Sequence, residues 1–264
     1  MDSSKVTKII NGSGFPLQLG VGSLVDSTTQ EHGWKVMFKE HSWANYEAET
    51  GGFIDLLLID KSRSIILNLE CKRVKNVSWL FLNAEKSVKN RRHVKAFHSV
   101  AEYGKQKIFG WHDISAEPAT PESQYCVIGG HDGASRSMVE KIAADVVEST
   151  EGFAIEDHSY SHQLEKLFRY YFNVIVTTAP LRISSFDPAL VDLSTGEIDE
   201  ASSVEVPYLR FRKQLSTHSM PQLSWTEIDI RGISTAKENT VFIVNSNHIV
   251  AFLSEFEIDE QYIP

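Results

Sequence analysis

The 264-residue chain is predicted to adopt an α/β or α+β fold, because strand-like and helix-like segments alternate along it. Three observations carry this reading. Two apolar runs, Phe53 to Ile59 and Ile65 to Cys71, flank the turn Asp60-Lys61-Ser62-Arg63-Ser64 and read as a β-hairpin. Before them, Leu17, Val21, Leu24 and Val25 recur at helical spacing. After them, Met138, Ile142, Ala143, Val146 and Val147 do the same.

Taken in order, the first expected element is a helix from Phe15 to about Thr29, with Pro16 at its start and Gly33 closing the segment. Trp34 to Lys39 has strand character, and the Gly51-Gly52 pair precedes the hairpin. The polar stretch Glu85 to Lys107 carries Val94, Phe97, Val100 and Tyr103 at a spacing of three and reads as an exposed helix. Ala116 to Glu122, with its prolines, reads as a loop, and Gln124 to Ile128 as a buried strand. Ser135 is placed to cap a helix from Arg136 to about Ser149. Further on, a helix is expected at His162 to Arg169 and strands at Phe172 to Thr178 and Leu181 to Ile183. Three more strands are expected at Val206 to Arg212, near Thr226 to Ile230 and at Thr240 to Val244, then a helix from about Asn247 to Phe256. The acidic, turn-rich stretch Asp187 to Ala201 is the candidate internal break.

Composition narrows the function classes. No run reaches the roughly 20 apolar residues of a membrane-spanning helix. The start, MDSSKVTKIINGSG, lacks the apolar core of a secretory signal, and Cys71 and Cys126 both sit in apolar runs, where they read as reduced core residues. A cytoplasmic location is the expectation. The net charge of -9 argues against a protein that merely coats nucleic acid. Yet Lys61 to Gly110 holds twelve Lys or Arg against three acids. A basic island in an acidic chain suits one face for a polyanion, and Lys75, Lys89, Arg91, Arg92 and Lys95 are the expected phosphate contacts. The acidic remainder suits a protein partner or a homo-oligomer.

The hairpin carries the chemistry. Side chains alternate faces along a strand, so Asn68, Glu70 and Lys72 fall on one side of Ile65 to Lys72, opposite Leu67, Leu69 and Cys71. An acid and a lysine ending an apolar strand are costly unless they serve each other or a ligand. Asp55, alone in its apolar run, has the same need, and hairpin pairing brings it toward them. Two carboxylates suit a hard divalent cation, Mg²⁺ or Mn²⁺. A lysine beside them suits the charge that develops in phosphoryl chemistry.

Gly52-Phe53-Ile54-Asp55, fourteen residues, then Glu70-Cys71-Lys72 resembles the PD-(D/E)XK nucleases, the restriction-endonuclease-like superfamily. The order helix, strand, Asp strand, Glu-X-Lys strand matches as well. The resemblance implies a mixed β-sheet flanked by helices over roughly Phe15 to Ser149. A core over residues 1–150 and an α+β extension over 151–264, packed on the core or continuing it, follow as the domain expectation. It implies a Mg²⁺-dependent nuclease with Asp55, Glu70 and Lys72 as catalytic residues. The metal would be held by Asp55, Glu70 and the backbone carbonyl of Cys71. DNA is the implied substrate ahead of RNA, in a restriction or other defence setting; a catalytically inactive nuclease-like fold acting as an assembly or nucleic-acid-binding subunit, and an RNA-directed nuclease, are the alternatives. Ile54 stands where the family has proline, and Gln18 where many members place a glutamate. Gln18, Glu47 and Glu49 are the additional candidate ligands.

Overall fold

The computed structural model describes residues 2–45, 49–84, 88–102, 105–128, 138–160, 166–215 and 236–259. Helices α1 (Ser3–Ile10), α2 (Phe15–Ser27) and α3 (Thr29–His32) lead into strands β1 (Lys35–Asn45), β2 (Thr50–Ile59) and β3 (Ile65–Lys72). Then come β4 (Trp79–Asn83), β5 (Asn90–Glu102), β6 (Lys105–Ser123), β7 (Tyr125–Ile128) and helix α4 (Met138–Tyr160). Strands β8 (Lys166–Thr177), β9 (Leu181–Ser185), β10 (Ser202–Val206), β11 (Tyr208–Lys213) and β12 (Asn239–Asn245) follow. Helix α5 (Ile249–Glu255) and the short β13 (Glu257–Ile258) complete the described chain.

Among the described residues nine strands form the main sheet, in the order β1-β2-β3-β8-β12-β11-β6-β13 with β5 bridging β6 and β8. The pairing is mixed. β1, β2 and β3 form an antiparallel meander, whereas β8 runs parallel to both β3 and β12. A four-stranded sheet, β10-β9-β4-β7, is separate. The class is therefore mixed α/β, as expected, and helices lie on both faces of the main sheet.

Two cores follow from the pleat. Leu56, Leu58, Leu67 and Leu69 face Val21 and Val25 of α2 and Ile249, Phe252 and Leu253 of α5. Leu57 and Ile66 face the other way, into a core shared with Val139, Ala143 and Val147 of α4 and with Trp79, Phe81 and Ile183 of the smaller sheet. Both faces of β2 and β3 are thus buried, which is why their sequences read as unbroken apolar runs. Asn68, the polar exception in β3, is satisfied by the hydroxyls of Ser149 and Thr150, each at 2.8 Å, and so ties α4 to the sheet. Gly152 lets that helix approach, since a Cβ there would meet the Trp43 ring at 2.6 Å. Trp34 Nε1–H donates to the Leu253 carbonyl at 3.0 Å, joining the start of β1 to α5.

Several expected elements differ. Over its described residues, the stretch read as an exposed helix at Glu85 to Lys107 is β5 and the start of β6. β5 is covered on both faces, with Val94 and Ala96 in one core and Phe97 in the other, so the period of two is hidden. Ala116 to Glu122 belongs to β6 rather than to a loop; Pro118 sits where the β5–β6 register jumps between Arg91 and His93. Lys166 to Arg169 opens β8 instead of ending a helix. The helix expected to stop near Ser149 runs on to Tyr160, so the expected division at residues 150–151 falls inside α4. Residues 166–245 contribute β8, β11 and β12 to the sheet that holds β1 to β3. Asp187 to Ala201 forms the long exposed connection of a hairpin, with Ser185 paired to Ser202. The proposed cap Ser135 and the strand near Thr226 to Ile230 lie outside the described residues.

The end of α4 is held by a buried ion pair. Arg169 on β8 meets Asp157, both side chains under a tenth exposed, and the Tyr171 hydroxyl donates to the same carboxylate at 2.7 Å. Asp157→Ala would leave the guanidinium buried and uncompensated, so unfolding free energy should fall by about 3–5 kcal/mol. Equilibrium denaturation measures this, and a loss under about 1 kcal/mol would mean that the pair is effectively solvated.

Candidate active site

β2 and β3 pair regularly from Ile59–Ile66 to Leu56–Leu69. The next rung would place Asp55 opposite Glu70. There the ladder gives way to a side chain: the Cys71 N–H donates to Asp55 Oδ2 at 2.7 Å. The carboxylate takes the place of a main-chain acceptor, and the strands part. On the other edge of β3 the Lys72 carbonyl accepts the Thr178 N–H at 3.3 Å. Successive residues of a strand direct their polar groups to opposite edges, so the Cys71 carbonyl leaves β3 on the Asp55 side.

The parting opens a cleft of about 380 Å³, lined by Asp55, Glu70, Cys71, Lys72 and Arg73 on the strand side and by Gly12 to Phe15 and Gln18 opposite. The structure thus brings Asp55, Glu70 and Lys72 together, with the Cys71 main chain between them. Glu70 also borders a second hollow beneath α4, with Trp43, Asn68 and Asp145.

The electrostatics are those of acids crowded away from water. Burial pushes the Asp55 carboxyl up; the Cys71 N–H opposes this, the Glu40 charge adds to it and Lys72 works against it. Glu70 is pushed up to about 7, first by burial and then by the Asp55 charge. Lys72 pulls it back, while Asp145 and Glu40 push further. Like charges held close, with a lysine beside them, are a poor arrangement for packing and a good one for attracting a cation.

The other candidates separate clearly. Gln18 reaches the cleft, but its amide Nε2 donates to the Asp55 carbonyl at 3.0 Å and to the Glu40 carboxylate. Glu49 lies exposed in the β1–β2 turn and does not line the cleft. It stands before β2, about 20 Å from Asp55 along an extended strand. Glu47 is outside the described residues. Lys75 is exposed just beyond β3, at the cleft end of the strand. Lys89 and Arg91 are exposed at the start of β5. Arg92 is engaged by Glu117 at 2.6 Å and by Asp259. Lys95 is not a surface residue: it is 2% exposed, with its Nζ 3.4 Å from Asp113 and 3.2 Å from the Ala236 carbonyl. The expected basic face is therefore broken, because strand alternation turns Lys95 inward where a helix would have turned it out.

The aromatics Trp79, Phe81, Phe97 and Trp111 are buried core residues. Cys71 and Cys126 are buried free thiols. His93 pairs with Asp113 at 3.0 Å, and His98 packs against Phe168, Tyr170 and the His112 ring; among the described residues no third ligand-type side chain joins them as a metal site.

Glu40 was missed by the sequence reading. It sits in β1 between two residues whose partners, Leu56 and Ile54, flank Asp55, and its charge acts on both Asp55 and Glu70. The only signal was an acid one rung across the strand pair from Asp55, visible once the β1–β2 register is known.

No family model, no curated protein and no solved structure matches this chain.

Glu70 supplies a pH test that needs no substrate. Its folded-state carboxyl holds a proton up to about pH 7, whereas an ordinary glutamate releases it near 4.5. Between those values the folded state binds more protons than the unfolded chain, so Glu70's contribution to stability is full below about 4.5 and is lost as pH rises through 7. Glu70→Gln removes that loss. Relative to the parent, the variant should gain on the order of 2–3 kcal/mol between pH 5 and pH 8 in metal-free buffer. A difference that stays flat across that range would show an ordinary carboxylate.

Proposed function

We propose that this chain is a divalent-cation-dependent nuclease that hydrolyses phosphodiester bonds in DNA. The observation that carries the reading is the meeting of Asp55, Glu70 and Lys72 in one open cleft, at the point where β2 and β3 part. Of the residues that carry the resemblance to the PD-(D/E)XK superfamily, Asp55, Glu70, Cys71 and Lys72 line this cleft. They arrive on the order of elements that the resemblance implies: α2, β1, the Asp strand β2 and the Glu-X-Lys strand β3.

The donor set fits Mg²⁺ or Mn²⁺. Asp55, Glu70 and the Cys71 carbonyl offer only oxygen, the ligand type that hard cations take. Among the described residues no three acidic, His or Cys side chains form a ready-made metal cage. That suits magnesium, which commonly binds through one or two carboxylates and keeps waters or substrate phosphate for the rest of its shell. When bound, such a cation neutralises charge on the phosphate and acidifies a coordinated water.

The chain's own residues have distinct tasks. Asp55 is held by the Cys71 N–H, so its carboxylate needs little reorganisation to act as a ligand. Glu70 keeps its proton in the metal-free protein up to about pH 7, so loading the site displaces that proton. The Lys72 ammonium offsets the charge of the two acids and is placed to stabilise charge on the phosphoryl oxygens. Arg73, at the cleft rim, and Lys75, just beyond β3, are the cations nearest in sequence for flanking phosphates.

The test is direct. The protein is incubated with supercoiled plasmid, linear DNA, single-stranded DNA and RNA in Mg²⁺, Mn²⁺ or EDTA. DNA should be cut with either metal and left intact in EDTA. Glu70→Ala and Lys72→Ala should each lower the rate by about 10²–10⁴-fold while keeping the parent's circular dichroism spectrum. Cleavage confined to RNA would reassign the substrate. A folded, metal-supplied protein that cuts none of the four would make the chain a nuclease-like scaffold without activity.

A further inference from the structure

Gln18 is a buried polar side chain on the apolar face of α2, only 5% exposed, in line with Val21 and Val25. Its amide nitrogen has two hydrogens and two acceptors within reach, the Asp55 carbonyl at 3.0 Å and the Glu40 carboxylate. Two acceptor oxygens require a donor between them. A glutamate at this position would present oxygen to both and repel Glu40, so glutamine is the side chain that the geometry demands.

The other end of the bond is unusual too. Glu40 has a φ of 52°, in the left-handed region that side chains bearing a Cβ avoid. Neighbouring rungs of the β1–β2 ladder pair Lys39 with Leu56 and His41 with Ile54, so Glu40 stands at the level of Asp55. An exposed glutamate on a strand has many rotamers open to it. This one is drawn to the buried amide of Gln18 beside Asp55.

We propose that Gln18 is a positioning residue that holds Glu40 next to Asp55, so that Glu40 is the third negative group of the cation site. The inference rests on the nuclease reading of the same cleft. Asp55 and Glu70 supply direct ligands; Glu40 acts on the cation by its charge and through the cation's waters, which magnesium and manganese retain in such sites. The Gln18 side chain meets Asp55 only at its main-chain carbonyl, not at the carboxylate that faces the cation, so its influence on the cation runs through Glu40.

The test is calorimetric titration of the metal-free, full-length protein with Mn²⁺, for the parent and for Glu70→Gln, Glu40→Gln, Gln18→Met and the double variant Gln18→Met/Glu40→Gln. Glu40 is exposed, so Glu40→Gln keeps the fold; Gln18→Met matches the buried side chain in length and lacks the donor. Thermal melts verify that each is folded, and if Gln18→Met is not, Gln18→Ala takes its place.

Glu70→Gln should abolish binding. Glu40→Gln should weaken it about tenfold, the effect of one unit charge roughly 6 Å from a divalent ion when water screens the exposed carboxylate. Gln18→Met should weaken it about threefold to tenfold, and the double variant should be no weaker than Glu40→Gln alone, because both changes remove the same contribution. Parent-like binding by Glu40→Gln, with Glu70→Gln inactive in binding, would overturn this inference and leave the nuclease reading standing. A double variant whose losses multiply would overturn the positioning role of Gln18. Parent-like binding by Glu70→Gln would remove the cation site and both claims with it.

Discussion

A single hydrogen bond, from the main-chain N–H of Cys71 to the carboxylate of Asp55, governs how the centre of this molecule is arranged. Had an apolar residue stood at 55, the β2–β3 ladder could have continued for another rung, with the strands paired to the end of β3. The carboxylate instead accepts the N–H itself. It satisfies a donor that would otherwise be stranded as the strands separate, and it is oriented by doing so. The cleft, the closeness of Asp55 to Glu70 and the direction of the Cys71 carbonyl all follow from that exchange.

The exchange is tolerable only because the surroundings are rigid. β3 lies between β2 and β8 and is buried on both faces, so the strand cannot shift to relieve the repulsion between its terminal acid and Asp55. Asn68, two residues before Glu70, is bonded to the hydroxyls of α4, and Val21 and Val25 of α2 pack against the opposite face. A site in which burial and like charge both oppose ionisation is destabilising by itself, and a large two-faced core carries that cost. The same architecture explains the other charges inside the protein. Arg210, fully buried, has its two terminal nitrogens met by the carbonyls of Ala116 and Pro118 and by the Thr120 hydroxyl, with the Phe242 ring 4.8 Å from the guanidinium and the charges of Glu122 and Glu117 acting on it.

The legible parts of the sequence were those whose pattern was local. The hairpin of β2 and β3 announced itself because two apolar runs flank a short turn, and α2 because its apolar residues and Pro16 belong to one segment. Asp55, Glu70 and Lys72 were legible for the same reason: ionisable residues inside apolar strands have no cheap structural use. β5 was read as a helix because Val94, Phe97 and Val100 imitate a helical stripe, while its real partners, β6 and β8, cover both faces. Lys95 looked like a surface cation because nothing nearby in sequence announces Asp113, its partner across the β5–β6 ladder. Glu40 was invisible for a related reason, since its position depends on a left-handed backbone and on an amide 22 residues earlier.

The account stands or falls on one location for one ion. Crystals of the metal-free protein soaked in Mn²⁺ and measured for anomalous scattering would locate that ion without reference to activity. The account predicts a single strong peak between the carboxylates of Asp55 and Glu70, close enough to both for direct oxygen ligation at about 2.0–2.2 Å, with the Cys71 carbonyl in the same shell. A cleft that remains without a peak at saturating Mn²⁺, or a peak held elsewhere while Asp55 and Glu70 turn apart, would contradict it.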